Sequence, residues 1–414
     1  MPAKHTIFAA AASLLCWLLL APPALAQFLD QAPGQRFQID PNHLPLPYAT
    51  ESVDNTADLV GRPDPPPFHL PAGFTVNEFA SGFIDPRWLA VAPNGDVFLS
   101  LPEKGQVDLL RDSDGDGKAE LTTVFAWGFD RPHGLAFHDG YLYVADVHRV
   151  WRLPWQPGDT KARTTPEPVT GADVFGATEG HWSRNLVFAP DGKRFVVTVG
   201  SADNLGEDPP VRATLQSFAA DGSDQKTLAS GLRNPVGISY RPGSDDLYVV
   251  VNERDGLGDG LVPDFLTRIE PGGFYGWPYA YIGAHAQPDF PARPDLAAKA
   301  IVPDLLFQAH SAPLGLVFYD GKMFPPDYQG DAIVALHGSW NSGKPTGYKL
   351  VRVPFHEGKP AGYYENFLTG FWVAGRSPAQ VWGRPCALAV AADGSLLLSD
   401  DASGTIWRIS YKKP

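Results

Sequence analysis

Gly134-Leu135-Ala136-Phe137-His138-Asp139-Gly140-Tyr141-Leu142-Tyr143-Val144 is an apolar run, an Asp-Gly pair and a second apolar run. Asp-Gly suits the backbone of a two-residue turn, so the stretch predicts a β-hairpin. The pattern returns along the chain. Trp88 to Leu99 turns at Asn94-Gly95, Asn185 to Val199 at Asp191-Gly192, and Ala387 to Ser399 at Asp393-Gly394. Gly237 to Val251 and Gly315 to Gly321 open in the same way. The starts at positions 88, 134, 185, 237, 315 and 387 lie roughly 50 residues apart where short and roughly 75 where long. Several hairpins are followed by a further strand, among them Val150 to Leu153, Leu266 to Ile269, Leu350 to Val353 and Ile406 to Ile409. One four-stranded unit per short interval, and a unit plus an inserted loop per long one, predicts an all-β fold. Its form is a six-bladed β-propeller with inserted loops. A sandwich or a set of separate domains would not produce this recurrence.

The flanks differ from this body. Residues 1–26 combine a basic start at Lys4, an apolar run from Thr6 to Leu20 and a small-x-small site at Ala24-Leu25-Ala26. They predict an export signal cleaved after Ala26, which places the mature chain in the periplasm or outside the cell. The run is too short to span a bilayer, and no later stretch is long and apolar enough, so no membrane span is expected. Residues 27–70 are rich in proline and have no sustained period. They predict an N-terminal extended arm lying on the propeller, residues 71–414, with disorder as the alternative. Beyond the signal only Cys386 remains, so no internal disulfide forms. Lys and Arg number 33 against 46 Asp and Glu, a formal net charge of −13. That balance argues against a nucleic-acid partner.

In a propeller the residues just before each first strand gather at one mouth of the axis. Here they are Asp85-Pro86-Arg87, Arg131-Pro132-His133, His181-Trp182-Ser183-Arg184, Arg233-Asn234-Pro235, His310-Ser311-Ala312-Pro313 and Gly383-Arg384-Pro385. Singly, such charges cap loops and bond carbonyls. Crowded round one axis they repel one another unless an anion sits among them. Arginine grips planar carboxylates with paired hydrogen bonds, so the ring predicts a ligand with several carboxylates. His181 fits a general base equally with a core histidine bonded to a carbonyl.

Further motifs carry a family resemblance. They are Gly231-Leu232-Arg233-Asn234-Pro235, Asn252-Glu253-Arg254-Asp255, Gly272 to Pro278 and His337-Gly338-Ser339-Trp340-Asn341. Together they resemble the dehydrogenases of sugars that depend on pyrroloquinoline quinone (PQQ), in the sorbosone and pyranose dehydrogenase branch, over about residues 70 to 412. The resemblance implies an oxidoreductase that passes hydride from a sugar hydroxyl to PQQ. Electrons then go to an external acceptor, a quinone or a cytochrome; the chain has no C-x-x-C-H for haem. It implies His181 as base and Arg384 as the group that stabilises the developing oxyanion. It implies cofactor contacts from Arg233, Asn234, Arg384, His337, Ser339 and Lys344, to which the ring of charges adds Arg131 and His133. It also implies calcium at the cofactor, held by main-chain carbonyls of Arg254, Asp255 and Gly256. Soluble glucose dehydrogenase has an aspartate where this chain has Gly180, and a second family aspartate falls on Ser201. Glu179 and Asp203 are then the candidates to orient His181.

Three features stand apart. Asp112, Asp114, Asp116 and Glu120 alternate as in a calcium loop, yet Thr123 holds the twelfth position, so a structural ion and an ion-free acidic turn both fit. Trp277, Trp340 and Trp372 suit a stacking platform for a sugar or packing between units. Cys386, at the start of an inner strand, is expected to be buried and inert. The rival functions are a metal-dependent lactonase on the same fold, which needs acidic ligands at the axis, and a non-catalytic binding propeller.

Overall fold

The computed structural model describes residues 29–413. The export signal expected at residues 1–26 lies outside them. The described chain is all-β, with six sheets of four or five strands, antiparallel but for the short Gly273–Phe274 edge strand, and a propeller-like arrangement. Sheet one runs Leu89–Val91, Val97–Leu101, Gln106–Arg111 and Leu121–Trp127. Sheet two is Leu135–His138, Tyr141–Ala145, Val150–Pro154 and Glu167–Pro168. Sheet three starts at Leu186–Phe188, sheet four at Asn234–Tyr240, sheet five at Pro313–Phe318 and sheet six at Pro385–Val390. Each of these first strands contacts the first strands of the sheets before and after it, and that of sheet six contacts that of sheet one.

The core follows from this. Second strands such as Val97–Leu101, Ala332–Leu336 and Leu396–Asp400 are buried at every position, because each sheet is covered on both faces by its neighbours. Such strands read as continuous apolar runs rather than alternations. The apolar side chains form one cluster per gap. Phe98, Leu109 and Leu142 fill the gap between sheets one and two. Phe79, Leu99 and Ile406 fill that between six and one.

Three first strands begin two or three residues earlier than their apolar runs suggest. Sheets four, five and six start at Asn234-Pro235, Pro313 and Pro385, and each ladder shifts register just afterwards. Proline removes a ladder donor, and a bulge at a strand start absorbs that loss. The strands expected to finish the units are third strands. The fourth strand of sheet six is Phe74–Ser81, which pairs with Thr405–Tyr411 from the other end of the chain.

The proline-rich segment after residue 28 lies on this body. Arg36–Phe37 pairs with Tyr364–Leu368 at the edge of sheet five, and Asp58–Leu59 runs parallel to Gln380–Val381. No helix among the described residues is long and apolar enough to cross a membrane.

Candidate functional site

The segments that precede the first strands enclose a cavity of about 320 Å³. His181, Arg233, Asn234, Arg87, His337 and Trp340 are among its walls. A larger cavity, about 440 Å³, opens under the N-terminal arm between Pro45, Leu46 and Leu257. It is mostly apolar and lacks the converging charges, so the chemistry belongs to the smaller one.

His181 is fixed from behind. Its Nδ1 lies 2.9 Å from the Ser201 carbonyl and 3.0 Å from the Ser201 hydroxyl. That hydroxyl donates to the Asp203 carbonyl at 2.6 Å, and a carbonyl only accepts. Nδ1 therefore carries the proton, and Nε2 is left with a bare lone pair. Burial, and then the Arg233 charge, pull the His181 pKa down to about 3, so the ring is neutral at ordinary pH. Neither Glu179 nor Asp203 offers a carboxylate to it, contrary to expectation. Arg212 donates to the carbonyls of Glu179 (2.9 Å) and Ser201 (2.8 Å), and Asp203 contributes only its main chain.

The missing aspartate has a steric reason. Gly180 sits at φ +72, and a Cβ there would stand 1.8 Å from the Ala202 carbonyl oxygen. No side chain fits without moving the backbone that carries His181. Gly180→Ala is expected to cost at least ~1 kcal/mol for the left-handed backbone alone, with the collision on top. An unchanged denaturation midpoint would refute the close approach.

Arg233 and Asp255 form the opposite wall. Arg233 reaches Asp255 at 3.1 Å, Asn204 Oδ1 at 2.9 Å and the Glu253 carbonyl at 2.7 Å. Asp255 also accepts from Asn341 at 2.6 Å, and His310 lies 3.6 Å away. Burial alone would raise the Asp255 pKa. The His310 bond and the Arg233 charge outweigh it and hold the carboxyl below its usual range. Asp264 faces the same cavity; burial pushes it up to about 7 although it accepts two backbone N–H groups.

The remaining expected residues divide. His337 lines the cavity and bonds Asp401 at 2.8 Å; Asp401 in turn pairs with Arg87. Arg384 donates to the carbonyls of His337 (3.4 Å) and Gly338 (3.2 Å). Arg131 and His133 gather about Trp182, the first 6.0 Å above its ring and the second 5.6 Å from it. Ser339 is buried and bonds within its own loop, to Thr346 and Tyr348. Lys344 lines the larger cavity instead. Of the three tryptophans only Trp340, 48% exposed, reaches the cavity wall; Trp277 and Trp372 are packed inside. Cys386 is buried, and burial raises its thiol pKa well above the ordinary value.

The ring of arginines is therefore partly neutralised by the protein itself, through Asp401, Asp255 and Asp130. The Arg87–Asp401–His337 chain was not anticipated, because Asp401 comes from the far end of the sequence. Asp112, Asp114, Asp116 and Glu120 do bring carboxylate oxygens within 4.8 Å of one another. They lie between the third and fourth strands of sheet one, at the end away from the cavity.

Two residues that line the cavity each carry a buried oxygen without a hydrogen-bond partner, Asn234 Oδ1 and Glu253 Oε1. Oxygens without donors suit a hard cation, and Gly256, at φ +98, has open space where a side chain would stand. Arg254 itself turns its guanidinium inward, to Glu253 at 3.0 Å and Gln287 at 2.8 Å, so only its main chain is free for a metal. A carboxylate-bearing ligand and a cation thus both find complementary groups.

The chain matches the TrAA12-like family over residues 68–263 and 295–412. A Borreliella burgdorferi protein described as uncharacterized is 27% identical over 83% of this chain and 91% of its own length. A PQQ-dependent pyranose dehydrogenase of Coprinopsis cinerea is 28% identical over 81% of this chain, which spans 54% of that relative's length. The holo PQQ domain of pyranose dehydrogenase from the same organism superposes with a TM-score of 0.68 at 22% identity, over 83% of this chain and 97% of that one.

Proposed function

The chain belongs to the TrAA12-like family, which resembles PQQ-dependent sugar and pyranose dehydrogenases, and from that premise we propose that it is a quinoprotein that oxidises a sugar hydroxyl. The six sheets are read as the blades of one closed propeller over residues 71–414. The support is the circle of first-strand contacts and the core layer in the gap between sheets six and one. Residues 27–70 are the arm on its surface, and residues 1–26 direct export to the periplasm or the exterior.

The observation that carries the catalytic reading is the tautomer of His181. An acceptor-only carbonyl holds Nδ1–H, so Nε2 is ready to take the proton of a sugar hydroxyl. When bound with calcium, PQQ supplies the electrophilic carbonyl that receives the hydride. Arg233, Asn234 and His337, which line the cavity, would hold its carboxylates and oxygens, with Arg384 beside His337. Asn234 Oδ1 and Glu253 Oε1, which lack other partners, and the backbone at Arg254 to Gly256 would supply oxygens to the cation. The Arg233 field now weakens the base; anionic groups settled on Arg233 offset that field and strengthen His181. Trp340 offers an apolar face to the sugar ring. The electrons leave to an external acceptor.

The purified chain mixed with calcium and PQQ is expected to reduce an artificial dye only when a sugar is present. Absence of both quinone binding and dye reduction would sink the proposal.

A further inference from the structure

The family match begins at residue 68, yet the cavity is held together by residues before it. Asn55 is 8% exposed, buried between more open neighbours in the arm. Its main-chain N–H donates to the Trp340 carbonyl at 2.7 Å. Its Nδ2 donates to the carbonyls of Ser342 (2.7 Å) and Arg376 (3.2 Å). One residue thus binds the loop that carries Trp340 and Asn341 on both sides. A second contact lies a few residues earlier. Thr50 Oγ1 accepts from the Asp259 N–H at 2.7 Å, and the Tyr48 N–H donates to the Leu257 carbonyl at 2.9 Å. The two held loops are tied to each other, because Asp259 Oδ1 accepts from the Gly343 N–H at 2.8 Å.

Both loops converge on Asp255. Asn341 donates to its carboxylate, and His310, beside that carboxylate, is anchored on the Gly258 carbonyl at 3.1 Å. Asp255 in turn fixes Arg233. An Asn donor facing two carbonyls is not readily replaced by water at this burial, so its loss loosens the loop, which then keeps only the Asn55 main-chain bond to Trp340 and the Asp259 bond to Gly343 on this side.

We propose that Asn55, supported by Thr50, is a positioning residue of the active site, setting Trp340 against the sugar and Asn341 against the Asp255–Arg233 pair. The inference rests on the dehydrogenase reading above. It assigns to the arm a part in substrate and cofactor affinity. The His181 imidazole is held by the Ser201 carbonyl and hydroxyl rather than by these two loops, so the chemical step is expected to change less than the affinities.

The test compares Asn55→Ala, Asn55→Asp and Thr50→Val with the unaltered chain, all loaded with calcium and PQQ. The readouts are the KM for sugar, the dissociation constant of PQQ, kcat and the unfolding temperature. Asp has the shape of Asn but turns an acceptor toward two carbonyls, so a role in packing alone would survive it. Both Asn55 variants are expected to raise the sugar KM and the PQQ dissociation constant roughly tenfold, which is about 1.4 kcal/mol, with kcat little changed. Thr50→Val, at an exposed site, is expected to move the same constants in the same direction by less, and it keeps the test open should the Asn55 variants fold poorly. Unchanged constants in the folded variants, or a fall in unfolding temperature with no change in KM, overturn the proposal. If the unaltered chain binds no quinone and reduces no dye, the dehydrogenase reading itself has failed, and the two failures are told apart.

Discussion

Replacing His181 by alanine is expected to lower kcat roughly 10²- to 10⁴-fold, the usual worth of a positioned general base, while PQQ affinity stays unchanged. The geometry separates the two quantities. His181 is held by the Ser201 carbonyl and hydroxyl and makes no hydrogen bond to Arg233, Asn234 or Asp255. Removing its imidazole therefore deletes the proton acceptor and leaves the anion-binding wall in place. A small residue also leaves room for an exogenous base, and added imidazole is expected to restore part of the rate. Normal turnover in the alanine variant would refute the base assignment. Loss of quinone binding alongside turnover would make His181 a cofactor contact instead.

Arg233→Met should act on the opposite wall and with a different signature. Arg233 is 6% exposed and satisfies Asp255, Asn204 and the Glu253 carbonyl together. Breaking a buried pair from one side costs about 3 kcal/mol or more, because the partner charge stays behind. Asp255 keeps Asn341 and His310, which places the cost at the lower end of that range. Quinone affinity is expected to fall at least tenfold, measured by titration of the apo chain. The same substitution removes the second cause of the low His181 pKa. The imidazole should therefore titrate above its present value of about 3, visible by NMR in the apo protein. Unchanged quinone affinity would count against the carboxylate role, and an unmoved His181 titration would count against Arg233 as the source of the field.

Much of this architecture is legible in the sequence, because a hairpin is a local object. Asn94-Gly95, Asp191-Gly192 and Asp393-Gly394 each mark a turn between strands that do pair. What was illegible is non-local. Phe74–Ser81 completes sheet six through a partner more than three hundred positions away, and no period announces that. The same division holds at the site. Arg233 and Asn234 could be found because they stand at the entry to an inner strand, whereas His337 came only with the family resemblance. The partner of His181 could not, since it is mainly a backbone carbonyl, and every residue has one. Searching for a carboxylate at Glu179 or Asp203 sought a charge where Gly180 and Ser201 provide shape and an acceptor. Lys344 lines the cavity under the arm because its loop turns that way, and loop direction is set by contacts such as Asn55 with Ser342.

The pairing of Phe74–Ser81 with Thr405–Tyr411 also sets an order of events on the ribosome. A strand made early has no neighbour until the final strand emerges, so its edge stays open and Phe79 stays uncovered through most of synthesis. Open edges recruit other chains, which makes the unfinished molecule the aggregation-prone one.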